Sequence, residues 1–307
     1  MTQLINEEQY INLVCTIDEN YVQHCAVMLM SLVSNTTWRR LRVFIVHNGI
    51  RHQQANKLSN FLKKLGYIVA LIEIDSSCLS KAPVNHHITL ATYYRLLLPE
   101  LLEHTIKKII FLDVDLIIRE DISRLWQIDV DHYSHAAVED FGIDSEYKDR
   151  LGLLKETRYF NAGVLLINLE YWRNHNIRKL ALDFINSFPE KITYWDQDAL
   201  NYALQEKWYP LAPQWNVTTV NFHPTFQSEK STLQGKESEP SIIHFAGGGA
   251  YKPWHYYCTH PYKNEYYHYL SKTPWRRFIP IGKPTLLSRI KSRAKHLLKI
   301  HNPGVTY

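Results

Sequence analysis

Apolar residues run almost unbroken through INLVCT (Ile11–Thr16), LRVFIVH (Leu41–His47), YIVALIEI (Tyr67–Ile74) and KKIIFLD (Lys107–Asp113). Between them lie segments with helical spacing: Tyr21–Ser34, Arg51–Leu65 (stopped by Gly66) and Ile88–Leu102. Short strands that are apolar on both faces need cover on both faces. Their alternation with helices predicts a mostly parallel sheet flanked by helices, an α/β Rossmann-like fold. Farther on, His135–Asp140 and Tyr159–Asn168 read as strands, Leu169–Phe188 and Asp196–Glu206 as helices, and Ser241–Gly249 as a short strand entering a glycine loop. Ser228–Pro240 is polar enough for an exposed loop. In such sheets ligands bind beyond the carboxyl ends of the strands, the edge that receives Asp18 after the first strand and Asp113 after the fourth.

Composition narrows the class. The 307 residues are 45% hydrophobic and 21% charged, which excludes disordered and collagen-like chains and allows a large core. MTQLINEEQY at the start lacks the basic and apolar regions of a secretory signal, and no apolar run reaches the roughly 18 residues of a membrane span, so a cytoplasmic location is expected. Cys15, Cys25, Cys78 and Cys258 stand far apart and form no C-x-x-C pair, so buried reduced thiols are expected rather than zinc or redox motifs.

Charge divides the chain. Nine of its 35 basic residues lie after Glu265, where no Asp or Glu follows, leaving 26 basic against 30 acidic residues in the rest. Within LLSRIKSRAKHLLKI (Leu286–Ile300), Leu286, Leu287, Ile290, Ala294, Leu297 and Leu298 share one helical face, and Arg289, Lys291, Arg293 and Lys295 fill much of the remainder. A basic amphipathic helix fits an anionic membrane surface, with the aromatic lead-in Tyr262–Leu270 and Trp275 at headgroup level. A helix packed on the body and a polybasic end without regular structure are the alternatives. Domain limits of 1–265 for the body and 266–307 for a membrane-associating tail follow. An acidic body without a recognition motif argues against nucleic acid as a partner.

Four clusters carry candidate chemistry. In FLDVDLII, Asp113 and Asp115 interrupt an apolar run, and residues i and i+2 of a strand face the same way. Two converging carboxylates repel unless a cation lies between them, and hard ions such as Mn²⁺ or Mg²⁺ favour carboxylate oxygens. Capping of the following turn is the plainer alternative. In HFAGGGAYKPW (His244–Trp254), His244 ends an apolar strand as a ligand or a structural histidine. Three glycines let backbone N–H groups approach an anion, and Lys252 adds positive charge for phosphate. In YWDQDAL, Asp196 and Gln197 either point from a helix start into a cleft or, with Asp198, only favour that start. In YFNAGVLLIN, Asn161, Ala162 and Gly163 leave room for a ligand against the backbone, or form a strand-entry turn.

Together with CTIDENY (Cys15–Tyr21), HITLATYYRLLLPELL (His87–Leu102) and DQDALN (Asp196–Asn201), these motifs resemble family 8 of the retaining glycosyltransferases. The resemblance spans Ile11 to about His260, six motifs in the family's order. It implies a GT-A fold, a UDP-hexose donor (UDP-glucose or UDP-galactose), a Mn²⁺ ion and a glycan or glycolipid acceptor such as a lipopolysaccharide core. By position it assigns Asp113, Asp115 and His244 to the metal. Thr16, Asp18 and Asn20 fall to the uridine, with Val114 among the donor contacts. Lys252 and the backbone near Gly247 fall to the diphosphate; Arg95, Asn161, Asp196 and Gln197 to the donor sugar; His87 to the acceptor side. Gln197, a poor nucleophile, stands where a catalytic group is expected, which favours same-face attack with the leaving phosphate taking the acceptor's proton. Two departures stand out. Seven residues separate His244 from Lys252 where the family has five, and the acid expected after the AAV strand is either Glu139 or Asp140.

Two other classes fit parts of the pattern. Haloacid-dehalogenase-like phosphohydrolases also end an apolar strand in D-x-D, but Ile117 stands where they carry Thr or Val, and their motif lies on the first strand. A non-catalytic nucleotide-sugar-binding protein would keep the same cleft without turnover.

Overall fold

A computed structural model of the chain describes residues 10–84, 89–219 and 239–285. Strands β1 (Ile11–Thr16), β2 (Leu41–His47), β3 (Ile68–Glu73), β4 (Lys108–Leu112), β6 (His135–Glu139), β7 (Phe160–Asn168) and β8 (Trp208–Pro210) form one sheet in the order β3-β2-β1-β4-β7-β6-β8. All neighbours pair in parallel except β7, which runs against both β4 and β6. A smaller sheet joins β5 (Leu116–Ile118), β10 (Ile242–His244) and β9 (Val217–Thr218) in the order β5-β10-β9.

The inner apolar strands β1, β2, β4 and β7 are buried on both faces, as their composition requires, whereas β3 at the sheet edge is only partly covered, with Ile68 47% exposed. Ile109, Phe111, Leu165 and Ile167 point into one core with Tyr93, Trp172 and Trp208. Ile110, Leu112, Val164 and Leu166 alternate with them into a second core under the helix Val22–Asn35. A period of two, read on both faces, thus sets two cores from one sheet.

Three expectations change in detail. Asp113 and Asp115 do not lie within a strand; with Val114 they form the link between β4 and β5. The Asp113 N–H still bonds to the Gly163 carbonyl at 2.8 Å, and the Asp115 carbonyl accepts from Phe245 N–H at 3.0 Å. One aspartate therefore extends the large sheet and the other the small one. Leu169–Phe188 is two helices, Leu169–Asn174 and Ile177–Ser187, broken where Asn176 takes φ 51°, a left-handed value that asparagine tolerates. In place of one α-helix before β4 there is a 3₁₀ helix, Leu90–Leu97, followed by the short α-helix Leu98–Leu101.

The boundary at residues 265 and 266 falls inside the helix Lys263–Leu270. Tyr266, Tyr269 and Leu270 are buried against Val27, Ile117, Ile243, Phe245 and Trp254. Those aromatics serve the core, not a headgroup layer, and the body continues past Glu265. The amphipathic segment Leu286–Ile300, His87 and most of the polar loop Ser228–Pro240 lie outside the described residues.

Candidate active site

At the carboxyl end of β1 and β4 a cleft is lined by Thr16, Asp18, Tyr21, Thr92, Val114 and Lys252, with Asp113 and Asp115 on its floor. His244 enters from β10, whose pairing with β5 sets it opposite Leu116. Its Nε2 lies 3.8 Å from Asp113 Oδ2 and 3.4 Å from Asp115 Oδ1. One ligand atom from each of the three residues lies within 4.8 Å of the others. Ligands of a six-coordinate ion with bonds of about 2.1 Å sit about 3.0 or 4.2 Å apart, so these spacings suit a small divalent cation. The His244 Nδ1 pairs with Asn216 Oδ1 at 2.9 Å; an amide oxygen only accepts, so Nδ1 carries a proton and Nε2 is the nitrogen turned toward the carboxylates. A donor set of two carboxylates and one imidazole nitrogen fits Mn²⁺ or Mg²⁺.

Two cations already face the aspartates. Lys252 Nζ pairs with Asp115 Oδ2. Burial pushes the Asp115 carboxyl up, but Lys252 and His244 outweigh it and hold the group well below the usual carboxylate range. Arg95, 3% exposed, donates through Nη2 to Asp113 Oδ1 at 2.8 Å and through Nη1 to the Ala162 carbonyl, and it pairs with Asp196 at 2.7 Å. The 3₁₀ winding puts residues i and i+3 on one face, so Thr92 and Arg95 reach Asp196 together; the Thr92 hydroxyl donates to it at 2.6 Å. Burial raises the Asp196 carboxyl to about 6, against the pull of Arg95 and Thr92.

On the far side of His244 a polar chain runs from Asn216 through Asn161 to Asp140. Asn216 Nδ2 donates to Asn161 Oδ1 at 2.8 Å, and Asn161 Nδ2 to Asp140 Oδ2 at 3.3 Å. Gln197 closes it: its Nε2 donates to Asp140 Oδ2 at 3.2 Å, and its Oε1 accepts the Ala162 N–H at 3.0 Å. Asp140 is therefore the acid after the AAV strand that belongs to the site. Glu139 is half-buried on the other side, where burial raises its carboxyl against Lys148 and Arg158.

The helix Trp195–Leu204 that presents Asp196 and Gln197 is held by Asp198. That fully buried carboxylate accepts from Tyr159 Oη at 2.6 Å, Tyr147 Oη at 2.8 Å, and the N–H groups of Thr193 and Tyr194, each at 2.7 Å. Truncation takes the acceptor from the buried Tyr159 hydroxyl, the half-buried Tyr147 hydroxyl and two backbone N–H groups. Asp198→Ala is expected to cost about 3–5 kcal/mol in urea denaturation, well above the cost of an ordinary surface change.

Thr16, Asp18, Val114 and Lys252 line the cleft, Arg95 ties Asp113 of its lining to Asp196, and Asn161 and Gln197 meet at Asp140. Asn20 does not join them with its side chain: it is exposed, and its backbone N–H donates to Asp18 at 2.8 Å. Gly247 is not among the residues that line the cleft. The two additional residues between His244 and Lys252 are absorbed by a bulge: Gly247 and Gly249 take φ 91° and 55°, and a 3₁₀ turn spans Gly249–Tyr251. Lys252 still reaches Asp115. Sequence reasoning did not single out Thr92, Tyr21 or Asn216; each is an ordinary polar residue whose role appears only once β10 and the 3₁₀ helix are packed beside β4.

A sheet of this order, with a D-x-D link and a histidine converging at its carboxyl edge, defines a glycosyltransferase of the GT-A type. The chain belongs to glycosyl transferase family 8, whose model matches residues 12–258. General stress protein A of Bacillus subtilis (strain 168) is 35% identical over 291 residues, covering 92% of this chain and 99% of its own. The lipopolysaccharide 1,2-glucosyltransferase of Escherichia coli (strain K12) is 25% identical over 97% of this chain and 88% of its own. The crystal structure of the galactosyltransferase LgtC in complex with donor and acceptor sugar analogs superimposes with a TM-score of 0.78 at 25% identity, covering 86% of this chain and 96% of that one. An active-site glutamine-to-glutamate mutant of LgtC superimposes equally well. Membership in this family displaces the phosphohydrolase alternative.

Proposed function

We propose that this glycosyltransferase moves glucose or galactose from a UDP-sugar, with retention, to a saccharide acceptor of the cell-surface glycan class, of which a lipopolysaccharide core is one example. The observation that carries the reading is the convergence of Asp113, Asp115 and His244, whose two aspartates line a cleft together with Thr16 and Asp18. Support comes from relatives named as lipopolysaccharide glucosyl- and galactosyltransferases and from LgtC bound to donor and acceptor analogs. When bound by those three residues, a divalent ion supplies positive charge for a diphosphate leaving group.

The chain's own groups do the remaining work in this scheme. Thr16 and Asp18 hold the uridine, beside Val114. Lys252 adds positive charge where the departing diphosphate gains negative charge. Arg95 aligns Asp113 and Asp196 on one guanidinium, and Asp196 orients sugar hydroxyls. Gln197 is fixed at both ends of its amide, so its oxygen keeps one lone pair to face the positive charge that grows at the anomeric carbon. An amide so held is a dipole rather than a nucleophile, which supports same-face attack with the leaving phosphate as proton acceptor.

The experiment is a panel of UDP-sugars with Mn²⁺, read as UDP release with and without saccharide acceptors. The expected result is EDTA-sensitive release from UDP-glucose or UDP-galactose. No release from any UDP-sugar, with tight binding of one, would instead favour a binding protein. Gln197→Ala is expected to lose about 10²-fold in turnover and remain measurable; a covalent sugar adduct trapped on Gln197 or Asp196 would overturn same-face attack.

We also propose that the C-terminal segment meets an anionic membrane from the cytoplasmic side. Among the described residues no helix is long and apolar enough to cross one. Support comes from a local surface: Ile281 bonds the backbone at Trp254 and Tyr256, and Tyr257, Ile279 and Ile281 are 66%, 70% and 50% exposed. Exposed Arg276, Arg277 and Lys283 lie in the same segment. The full chain should float with vesicles containing phosphatidylglycerol, and a chain ending at Thr285, which keeps the core helix, should lose most of that binding. Equal flotation of the two would refute a role for residues 286–307.

A further inference from the structure

Lys252 does more here than wait for a phosphate. Its ammonium rests on Asp115 Oδ2, while the other oxygen of the same carboxylate faces His244 Nε2 at 3.4 Å. Lysine and aspartate side chains are only 12% and 11% exposed, so water screens this contact little. A divalent ion held by Asp115 and His244 would sit within about 5 Å of that ammonium, and like charges at such range in a partly dry site oppose each other strongly. A diphosphate reverses the sign of the problem, because its oxygens can accept both cations at once.

We propose that Lys252 is a tethered counter-ion that competes with the divalent ion for Asp115 and yields it only to a diphosphate, so that metal and donor bind cooperatively. This rests on the metal and donor reading above. The chain is built for a side-chain swing rather than a loop movement. Pro253 and Trp254 are buried directly after Lys252. The Trp254 ring stacks on His24 at 3.6 Å and 22°, with the Tyr21 ring edge-on at 5.8 Å. His24 Nδ1 is in turn paired with Tyr266 Oη at 2.7 Å. The backbone is thus pinned two residues from Lys252, while a four-carbon stem leaves its ammonium free to turn. Arg95 cannot play this part: it is bound at once to Asp113, Asp196 and the carbonyls of Thr92 and Ala162, and leaving one partner strands the others.

Linkage makes the coupling reciprocal: whatever factor UDP adds to Mn²⁺ affinity, Mn²⁺ adds to UDP affinity. The test is Mn²⁺ titration of the full chain, followed by the electron paramagnetic resonance of free Mn²⁺, with and without UDP. In the wild type UDP should tighten Mn²⁺ by about tenfold or more. Lys252→Met should bind Mn²⁺ without UDP about tenfold more tightly than the wild type, and UDP should then add a smaller factor than it adds in the wild type. Lys252→Gln should behave alike, with thermal melts confirming that both variants fold. If neither variant binds Mn²⁺ more tightly than the wild type in the absence of UDP, the counter-ion role is overturned while the metal site stands. If the wild type fails to bind Mn²⁺ even at saturating UDP, the metal reading fails and this inference with it.

Discussion

Asp115→Asn, and equally Asp113→Asn, is expected to lower transfer from the UDP-sugar by about 10³-fold or more while leaving the fold in place. The size follows from what each carboxylate faces. Asp115 stands between His244 Nε2 and Lys252, and Asp113 between His244 Nε2 and Arg95. An amide of the same shape keeps the packing but removes the anion that both a metal ion and the basic side chains require. The link itself does not depend on those side chains, since its backbone is bonded to Gly163 and Phe245. Unchanged far-UV circular dichroism with lost Mn²⁺ binding and lost UDP release is the expected pattern. Near-normal activity of either variant, or of the wild type in EDTA, would remove these residues from the chemistry.

How much of this was legible beforehand depends on distance along the chain. The sheet was legible because each strand carries its own signal: four apolar runs separated by helical spacing leave little choice of layer. The D-x-D pair was legible for the same local reason, two acids in a run that is otherwise buried. The break at Asn176 was not, because only a positive φ at a residue with ordinary neighbours marks it. The reversal of β7 was hidden too, since an apolar run reads alike in either direction. Asp140 could not be separated from Glu139 until Asn161 and Gln197 were seen to donate to it. Asn216 is the clearest case: it orients His244 from 28 positions away, through a bond that no local pattern announces. The aromatic segment after Tyr262 misled because a helix rich in tyrosine suits a membrane surface and a core equally well. Burial of Tyr266 and Tyr269 against Trp254 decides for the core.

Gly163→Ala should disable the site almost as fully, by one methyl group. A Cβ at this position would lie 2.4 Å from His244 Cε1, 2.8 Å from its Nδ1 and 2.9 Å from Asp113 Oδ2. None of these neighbours is the loose end of a flexible chain. The imidazole is pinned by Asn216, and Asp113 by Arg95. Gly163 itself cannot retreat, because its carbonyl holds the Asp113 N–H and its N–H bonds to Asn161 Oδ1 at 3.0 Å. The methyl must therefore push His244 away from the aspartates. Since β7 continues on both sides, the strand should survive, and overpacking of this kind costs about 1–3 kcal/mol. Activity should fall further than stability, by about 10²–10³-fold, because a displacement near 1 Å at a side chain proposed to hold the metal is enough to spoil it. Mn²⁺ titration separates the two effects: weakened binding in a protein with a modestly lowered melting temperature is the expected outcome. Wild-type Mn²⁺ affinity in Gly163→Ala would mean that His244 does not need the place this glycine reserves for it.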